Sequence, residues 1–583
     1  MIAARQQIVR FSRVDFRATA PPAPAADMPL DSPFANRRTS RYLLIGLAIV
    51  LATLWFVKLT GRPLAHPDEG RYAEIPREML ASGDWVTPRL NGFPYLQKPP
   101  LQYWATAAAY KAFGPAEWTA RFWTALAGLA TVLAAWLAGR RLLGRDAGDF
   151  GALALLASPY FVIMSGINTL DVGVSLFLNG AVLAYLLSRR AGTRRAETAW
   201  MLAAWAAMAL AVLSKGLIGV VLPFATLVAY ALWHRQPGAL ARLHWLPGLA
   251  VFAAIAAPWF VLAARANPEF LQYFFLHEHF RRFTSTAHNR AGPVWYFAPI
   301  LLLAVGPWAV AAVAGVRQAW RSPPADGAVS PRRFLLAWCA VVFVFFSVSQ
   351  SKLPAYLVPL VPALALLAGD ALANGGLRRP GFALASGVML FGVLLFAVNE
   401  FAEEHYVHLL EGTGEVFADW TEACAVLLVV AGGIGLYWVD RTGSRRIVVG
   451  LLGACYVAMS LTMFGYGALA PLRSGAAFAR QIHRAGPPDA PVYAVHLYEQ
   501  TLPFYLDRLV TVVDFRGELE PGMGETSQNR MLSLEEFRAR WMADAHAFAV
   551  MPPDTFGALR SAGLPMAVVA EEPRRVLVRK PSG

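Results

Sequence analysis

The chain is 583 residues long, 56% hydrophobic and only 15% charged, with 18 tryptophans, a composition that excludes an ordinary soluble domain and a disordered chain. Its formal charge of +14 does not mark a nucleic-acid-binding protein, because the arginines recur in alternate connections between apolar runs, as in the cytoplasmic loops of a membrane protein. Cys339, Cys424 and Cys455 lie in or beside apolar runs, which excludes a disulfide framework and a cysteine-spaced metal site.

Residues 1–41 combine arginines with a Pro/Ala-rich stretch and read as a disordered cytoplasmic leader. The apolar run after Arg41 is long for a signal peptide and reads as a retained anchor. A spanning helix needs about 20 residues to cross about 30 Å of hydrocarbon. About thirteen stretches qualify: 42–60, 121–139, 151–167, 172–188, 198–213, 216–233, 245–263, 294–316, 334–348, 355–373, 382–397, 420–438 and 446–467. The expected fold is therefore mainly α and polytopic, with a membrane domain over 42–469. Arg37, Arg38 and Arg41 precede the first span, and Arg140, Arg141, Arg189, Arg190, Arg235, Arg242, Arg317, Arg332, Arg378 and Arg441 continue the alternation. These loops are expected in the cytoplasm, which places loops 61–120 and 264–293 and the tail 470–583 on the opposite side.

Loop 61–120 is too long for a mere connection. It is expected to hold a helix from Glu69 to Ser82, with Asp68 as N-cap and Gly83 as stop, and a second from Leu101 to Phe113, both lying in the interface plane. Loop 264–293 carries His277, Glu278, His279, Arg281 and Arg282, the densest titratable cluster. From about residue 470 charges return. Strands are expected at 492–496, 509–513, 547–551, 566–569 and 575–578, with helices near 498–505, 534–544 and 554–562, an α/β layer. There is no GxGxxG, Walker or Asp-x-Asp motif, which disfavours a nucleotide-linked donor.

The stretch His66-Pro67-Asp68-Glu69-Gly70-Arg71-Tyr72 places two carboxylates at a membrane edge, where an ionisable group is costly enough to point to function. Lys98, between Tyr95 and the pair Pro99-Pro100, is set to present one cation to an anion. Carboxylate and cation together suggest group transfer from a phosphate.

These motifs, with Asp171 and His277-Glu278-His279-Phe280, resemble the class C membrane glycosyltransferases. Within them the chain is most similar to the bacterial aminoarabinose lipid A transferases, relatives of the protein O-mannosyltransferases, and the likeness extends over nearly its whole length. The resemblance implies the class C fold with a periplasmic α/β tail. It also implies transfer of 4-amino-4-deoxy-L-arabinose from undecaprenyl phosphate to a lipid A phosphate at the periplasmic face of the inner membrane, with polymyxin resistance as the consequence.

Such a transfer builds negative charge on the departing phosphate while the anomeric carbon becomes oxocarbenium-like, so preorganised cations are needed. Lys98 and Arg71 are the candidates, with Arg282 as a bidentate partner. Lys215 and Lys352 lie at outward turns where the positive-inside pattern does not want lysines; they are further phosphate contacts, or snorkelling anchors. Asp68 orients or deprotonates the acceptor, and one carboxylate at the reacting carbon predicts inversion. Asp171 is a second catalytic carboxylate, the nucleophile that retention would need, or a cap on the turn between the third and fourth spans, or a bond to the interfacial loop. Glu69, Tyr72 and Tyr95 are expected to bind substrate.

No cofactor is required. A divalent metal, Zn or Mg, could be held by His277, Glu278 and His279, but neighbours on one helix point apart, so Glu69 or another loop would have to help. Gln97 stands where many family members carry an acidic residue, which weakens a metal site there. The rival readings are a polyprenyl-phosphate hexose transferase acting on another lipid or a protein, a transporter of lipid-linked substrates, and a scaffold.

Overall fold

The computed structural model describes residues 49–275, 292–322, 329–375, 378–406, 413–439, 444–522 and 531–581. The chain divides into two compact units, 1–53 and 54–583; of the first, residues 49–53 are described, as helix.

Among the described residues ten helices are long and apolar enough to cross a membrane, from Glu117–Leu142 to Arg445–Leu469. They coincide with ten of the expected stretches. Of the other three, 42–60 is described from residue 49 onward, and Ile218–His234 is apolar but shorter. The stretch 151–167 is broken into Arg145–Leu156 and Pro159–Met164. There the Ser158 hydroxyl accepts from the Phe161 amide and Pro159 starts a new helix, the position proline tolerates best.

Lipid tails are as apolar as leucine, so helices in a bilayer associate through close packing of small residues. A methyl group on Gly369 would lie 2.3 Å from the Gly151 nitrogen, and one on Gly148 would lie 2.4 Å from the Arg140 nitrogen. Helices Glu117–Leu142, Arg145–Leu156 and Pro354–Asn374 thus touch backbone to backbone.

Loop 61–120, expected at the interface, begins with the Asp68–Ser82 helix, ended by Gly83 at φ +71° as expected. Its N-cap is Pro67, not Asp68, and Asp68 is the first helical residue with no capping bond from its side chain. The next residue fixes the helix in place. Glu69 is 1% exposed. Its carboxylate accepts from Arg121 Nε at 2.7 Å and Nη2 at 2.9 Å, from Arg62 Nη1 at 3.2 Å, and from the amides of Ala65 and Asn168 at 3.0 Å each. Burial alone would raise this carboxyl, but Arg121, Arg62 and the hydrogen bonds outweigh it and hold Glu69 down at about 2.

Strands β1 (Arg89–Leu90) and β2 (Phe93–Pro94) form a small hairpin. Its turn, Asn91 at φ 53° and Gly92 at φ 79°, has the Asn-Gly chemistry that left-handed backbone favours. Both turn amides donate to Glu78, at 2.5 and 2.8 Å, and the Asn91 side chain pairs with both backbone groups of Val510 at 2.9 and 3.0 Å. The helix Leu101–Phe113 has the expected bounds.

The tail forms a six-stranded sheet in the order β5-β4-β3-β6-β8-β7. Here β3 is Val492–Val495, β4 Thr511–Val513, β5 Met531–Leu532, β6 Phe548–Met551, β7 Ala567–Glu572 and β8 Arg575–Arg579. The first four pair in parallel and the last two antiparallel. One side of the sheet packs on Phe537 and Trp541. The other shares a core with Tyr72, Ile75, Met79, Phe93, Tyr95 and Tyr103 of the interfacial loop, so the layer is built onto that loop.

Gly70 explains how closely the two meet: a Cβ there would sit 2.6 Å from the Gln500 carbonyl carbon and 2.7 Å from the Thr501 nitrogen. Gly70→Val is expected to unseat the layer, lowering stability by about 1–3 kcal/mol, read as a lower Tm in detergent and faster proteolysis of the tail. Arg121→Met leaves a buried carboxylate short of its main partner and is expected to cost about 3–5 kcal/mol in the same melt.

Burial, then the neighbouring Glu74, push Glu78 up to about 8 from an ordinary 4.5. The folded protein therefore keeps a proton that an unfolded carboxyl would release, so this group's contribution to stability falls as pH rises from about 4.5 to about 8. Tm is expected to drop between pH 6 and pH 9, and Glu78→Gln to flatten that drop; an equal slope in both proteins would contradict it.

Candidate functional site

With Glu69 turned inward, the adjacent Asp68 is turned out, since successive helical residues point about 100° apart. Its side chain is 45% exposed and Oδ1 lies 3.0 Å from Arg71 Nη1. Arg71 also pairs with Glu518, and its guanidinium lies 5.8 Å from the ring centres of both Tyr72 and Tyr95. Glu518 comes from the tail layer, where Gln500 Nε2 donates to its carboxylate at 2.6 Å. The Tyr95 hydroxyl donates to Gln97 Oε1 at 3.0 Å, and Gln97 Nε2 donates to the Glu518 carbonyl at 3.4 Å. The next residue, Lys98, has Nζ 2.9 Å from the Gln97 carbonyl.

Burial first, with nearby acidic groups adding to it, holds the Tyr72 phenol well above its ordinary range. Tyr95 and Tyr103 are raised chiefly by burial as well. All three are neutral hydrogen-bonding groups around Arg71, not alternative bases.

Asp171 lies in the first turn of Leu170–Arg189, where a negative charge suits the helix dipole. It does not serve as the N-cap, a position Thr169 holds. Instead it pairs with Lys215 at the end of Arg194–Lys215, and Lys215 lies 4.8 Å over the Tyr356 ring. Lys215, expected at a phosphate or as a snorkelling anchor, is thus a half-buried ammonium engaged by a carboxylate of the neighbouring helix.

Two further residues of the sequence reading are engaged within the protein. Glu69, anticipated among the substrate-binding residues, has both oxygens occupied inside the protein. Lys352, anticipated at a phosphate or at a span end, is 5% exposed and donates to the carbonyls of Ser347 at 2.8 Å and Ser349 at 2.6 Å, stitching its own turn. Arg282 and the trio His277, Glu278 and His279 lie outside the described residues. Among the described residues no three His, Cys, Asp or Glu side chains gather as a metal would require.

The structure also brings in residues that the sequence reading passed over: Arg62, Arg121, Tyr103 and Glu518. A signal for the first two was present, since both arginines stand at span ends flanking loop 61–120, outside the alternate connections in which the other arginines recur. Chemically, the cluster offers one accessible carboxylate beside a guanidinium fixed from two sides, at the edge of an apolar bundle. That suits an anionic, lipid-borne reactant.

Residues 40–274 match the model of the dolichyl-phosphate-mannose-protein mannosyltransferases, and residues 478–580 match the aminoarabinose transferase C-terminal domain. An undecaprenyl phosphate-alpha-4-amino-4-deoxy-L-arabinose arabinosyl transferase of Pseudomonas fluorescens is 33% identical over 62% of this chain and 62% of its own length. One of Aeromonas salmonicida is 34% identical over 55% of this chain and 58% of its own. The chain thus matches less than two thirds of the length of these curated relatives. Among solved structures, ArnT from Cupriavidus metallidurans bound to undecaprenyl phosphate is 36% identical, covers 93% of this chain and 99% of that one, and superposes with a TM-score of 0.87. Its apo form is 35% identical with a TM-score of 0.86. With 99% of the solved chain matched and ten apolar helices long enough to span, this multi-pass membrane protein belongs to the aminoarabinose transferase family of membrane glycosyltransferases.

Proposed function

We propose that this protein transfers 4-amino-4-deoxy-L-arabinose from undecaprenyl phosphate to a phosphate of lipid A, at the periplasmic face of the bacterial inner membrane. The observation that carries the reading is the likeness, over 93% of the chain, to ArnT of Cupriavidus metallidurans with undecaprenyl phosphate bound. The Asp68, Arg71 and Glu518 cluster supports it from within this chain. The arginine alternation supports a periplasmic site and tail.

In this reading Asp68 faces the acceptor. A lipid A phosphate is already anionic near neutral pH, so the carboxylate chiefly orients it, and it takes a proton only from a monoprotonated phosphate. Arg71 and Lys98 stabilise charge on the departing undecaprenyl phosphate. A single displacement at the anomeric carbon inverts its configuration. No step passes through a metal; a Zn or Mg ion would draw on His277, Glu278 and His279.

Purified protein supplied with undecaprenyl-phosphate aminoarabinose and lipid A is expected to give lipid A heavier by the aminopentose in mass spectrometry. Asp68→Asn should lower kcat about 100-fold or more, and Lys98→Ala should raise the donor KM. A fully active Asp68→Asn protein refutes the assignment. With undecaprenyl-phosphate hexose supplied alongside, a hexose adduct in place of the aminopentose redirects the donor, and lipid-linked sugar crossing proteoliposomes without a covalent product redirects the class.

A further inference from the structure

Near the Asp68 cluster, several side-chain groups on residues at least nine-tenths buried have no hydrogen-bond partner among the described residues. Three of them are the Tyr103 hydroxyl, the Asn168 side-chain nitrogen and the Thr169 hydroxyl. Buried polar groups are nearly always paired. Three orphans together mark a place where something polar completes them.

Their placement is tied down on several sides. The Tyr103 ring centre is 6.1 Å from that of Tyr72, and Leu170 packs in the same cluster as both tyrosines. Gln102, next to Tyr103, donates to Asn168 Oδ1 at 2.8 Å, which occupies the oxygen of that amide and leaves the nitrogen to spare. The Asn168 backbone is held by Glu69 at 3.0 Å. Thr169 sits at the N-cap of Leu170–Arg189 without using its hydroxyl to cap, the bond a threonine there ordinarily makes.

We propose that Tyr103, Asn168 and Thr169 form the subsite that receives the hydroxyl groups of the donor's sugar ring. The inference rests on the transferase reading above and adds residues to it. The chemistry selects the sugar among the donor's parts. A polyprenyl chain has nothing to hydrogen-bond, and a phosphate calls for cations, whereas all three of these groups are neutral. Sugar hydroxyls both donate and accept, and so match a phenol, an amide nitrogen and a threonine hydroxyl. These are binding and positioning groups; the bond-breaking work stays with the Asp68 cluster.

The test uses Tyr103→Phe, Thr169→Val and the double variant in the full-length protein, each removing an unpartnered hydroxyl at nearly constant shape. The donor KM for undecaprenyl-phosphate aminoarabinose is expected to rise about fivefold to tenfold in each single variant, and further in the double. The Kd for undecaprenyl phosphate without sugar should stay within about twofold. An unchanged donor KM in active variants overturns the subsite, as it would if water alone filled it, and so does a parallel loss of undecaprenyl phosphate binding. Wild-type protein that makes no modified lipid A overturns the transferase reading itself, which separates the two failures.

Discussion

The whole interfacial assembly depends on one buried ion cluster, Glu69 between Arg62 and Arg121. Two cations and one carboxylate are expensive to take out of water, and only complete hydrogen bonding makes the arrangement tolerable. The completion is supplied by parts of the chain far apart in sequence. Arg121 also donates to the carbonyls of Leu59, Arg62 and Pro63, and Glu69 takes the Asn168 amide. The exit of the first span, the start of the second and the start of Leu170–Arg189 are thereby fixed to a single side chain. Because a helix turns about 100° per residue, fixing Glu69 inward also fixes Asp68 outward.

The tail layer is part of the same construction. Gly70 admits the backbone at Gln500 and Thr501, Asn91 pairs with Val510 as another strand residue would, and Glu518 reaches Arg71. Three contacts of different kinds thus dock the tail on the helix that presents Asp68 and on the hairpin that follows it. A layer held only by loops would be free to move relative to the site. Here it contributes an acidic side chain to it.

Much of this was legible in the residues. Spans announce themselves because hydrocarbon leaves no alternative to a long apolar helix, and Gly83 and the helix Leu101–Phe113 followed from local chemistry. Strand β5, two residues long, carries too little alternation to be seen, and Ala476–Ala485 borders the apolar run that precedes it. Of the cluster around Arg71, the members that stood out in the sequence are Asp68 and Arg71, charges in an improbable place. The site was opaque where a role depends on a partner remote in sequence. Glu69 and Asp68 look alike on paper, and only Arg121 and Asn168 decide which of them faces inward. Glu518 lies in a polar segment with nothing to distinguish it until the fold brings it to Arg71.

The pairing of the cations bears on how an anion would enter. Arg71 stands between Asp68 and Glu518, and Lys215 is held by Asp171. A cation withdrawn this far from water is costly without a partner, and each is kept satisfied by a carboxylate. In the proposed transfer, an arriving phosphate would share a guanidinium or ammonium already in use, its gain in contact offset by what the carboxylate gives up. The exposed Asp68 loses least when Arg71 turns to a phosphate, since water can take the vacated place. Glu518, less exposed and bonded to Gln500, stays behind to hold the guanidinium in position. The asymmetry between these two partners of one arginine gives the site a fixed anchor on one side and a releasable carboxylate on the other.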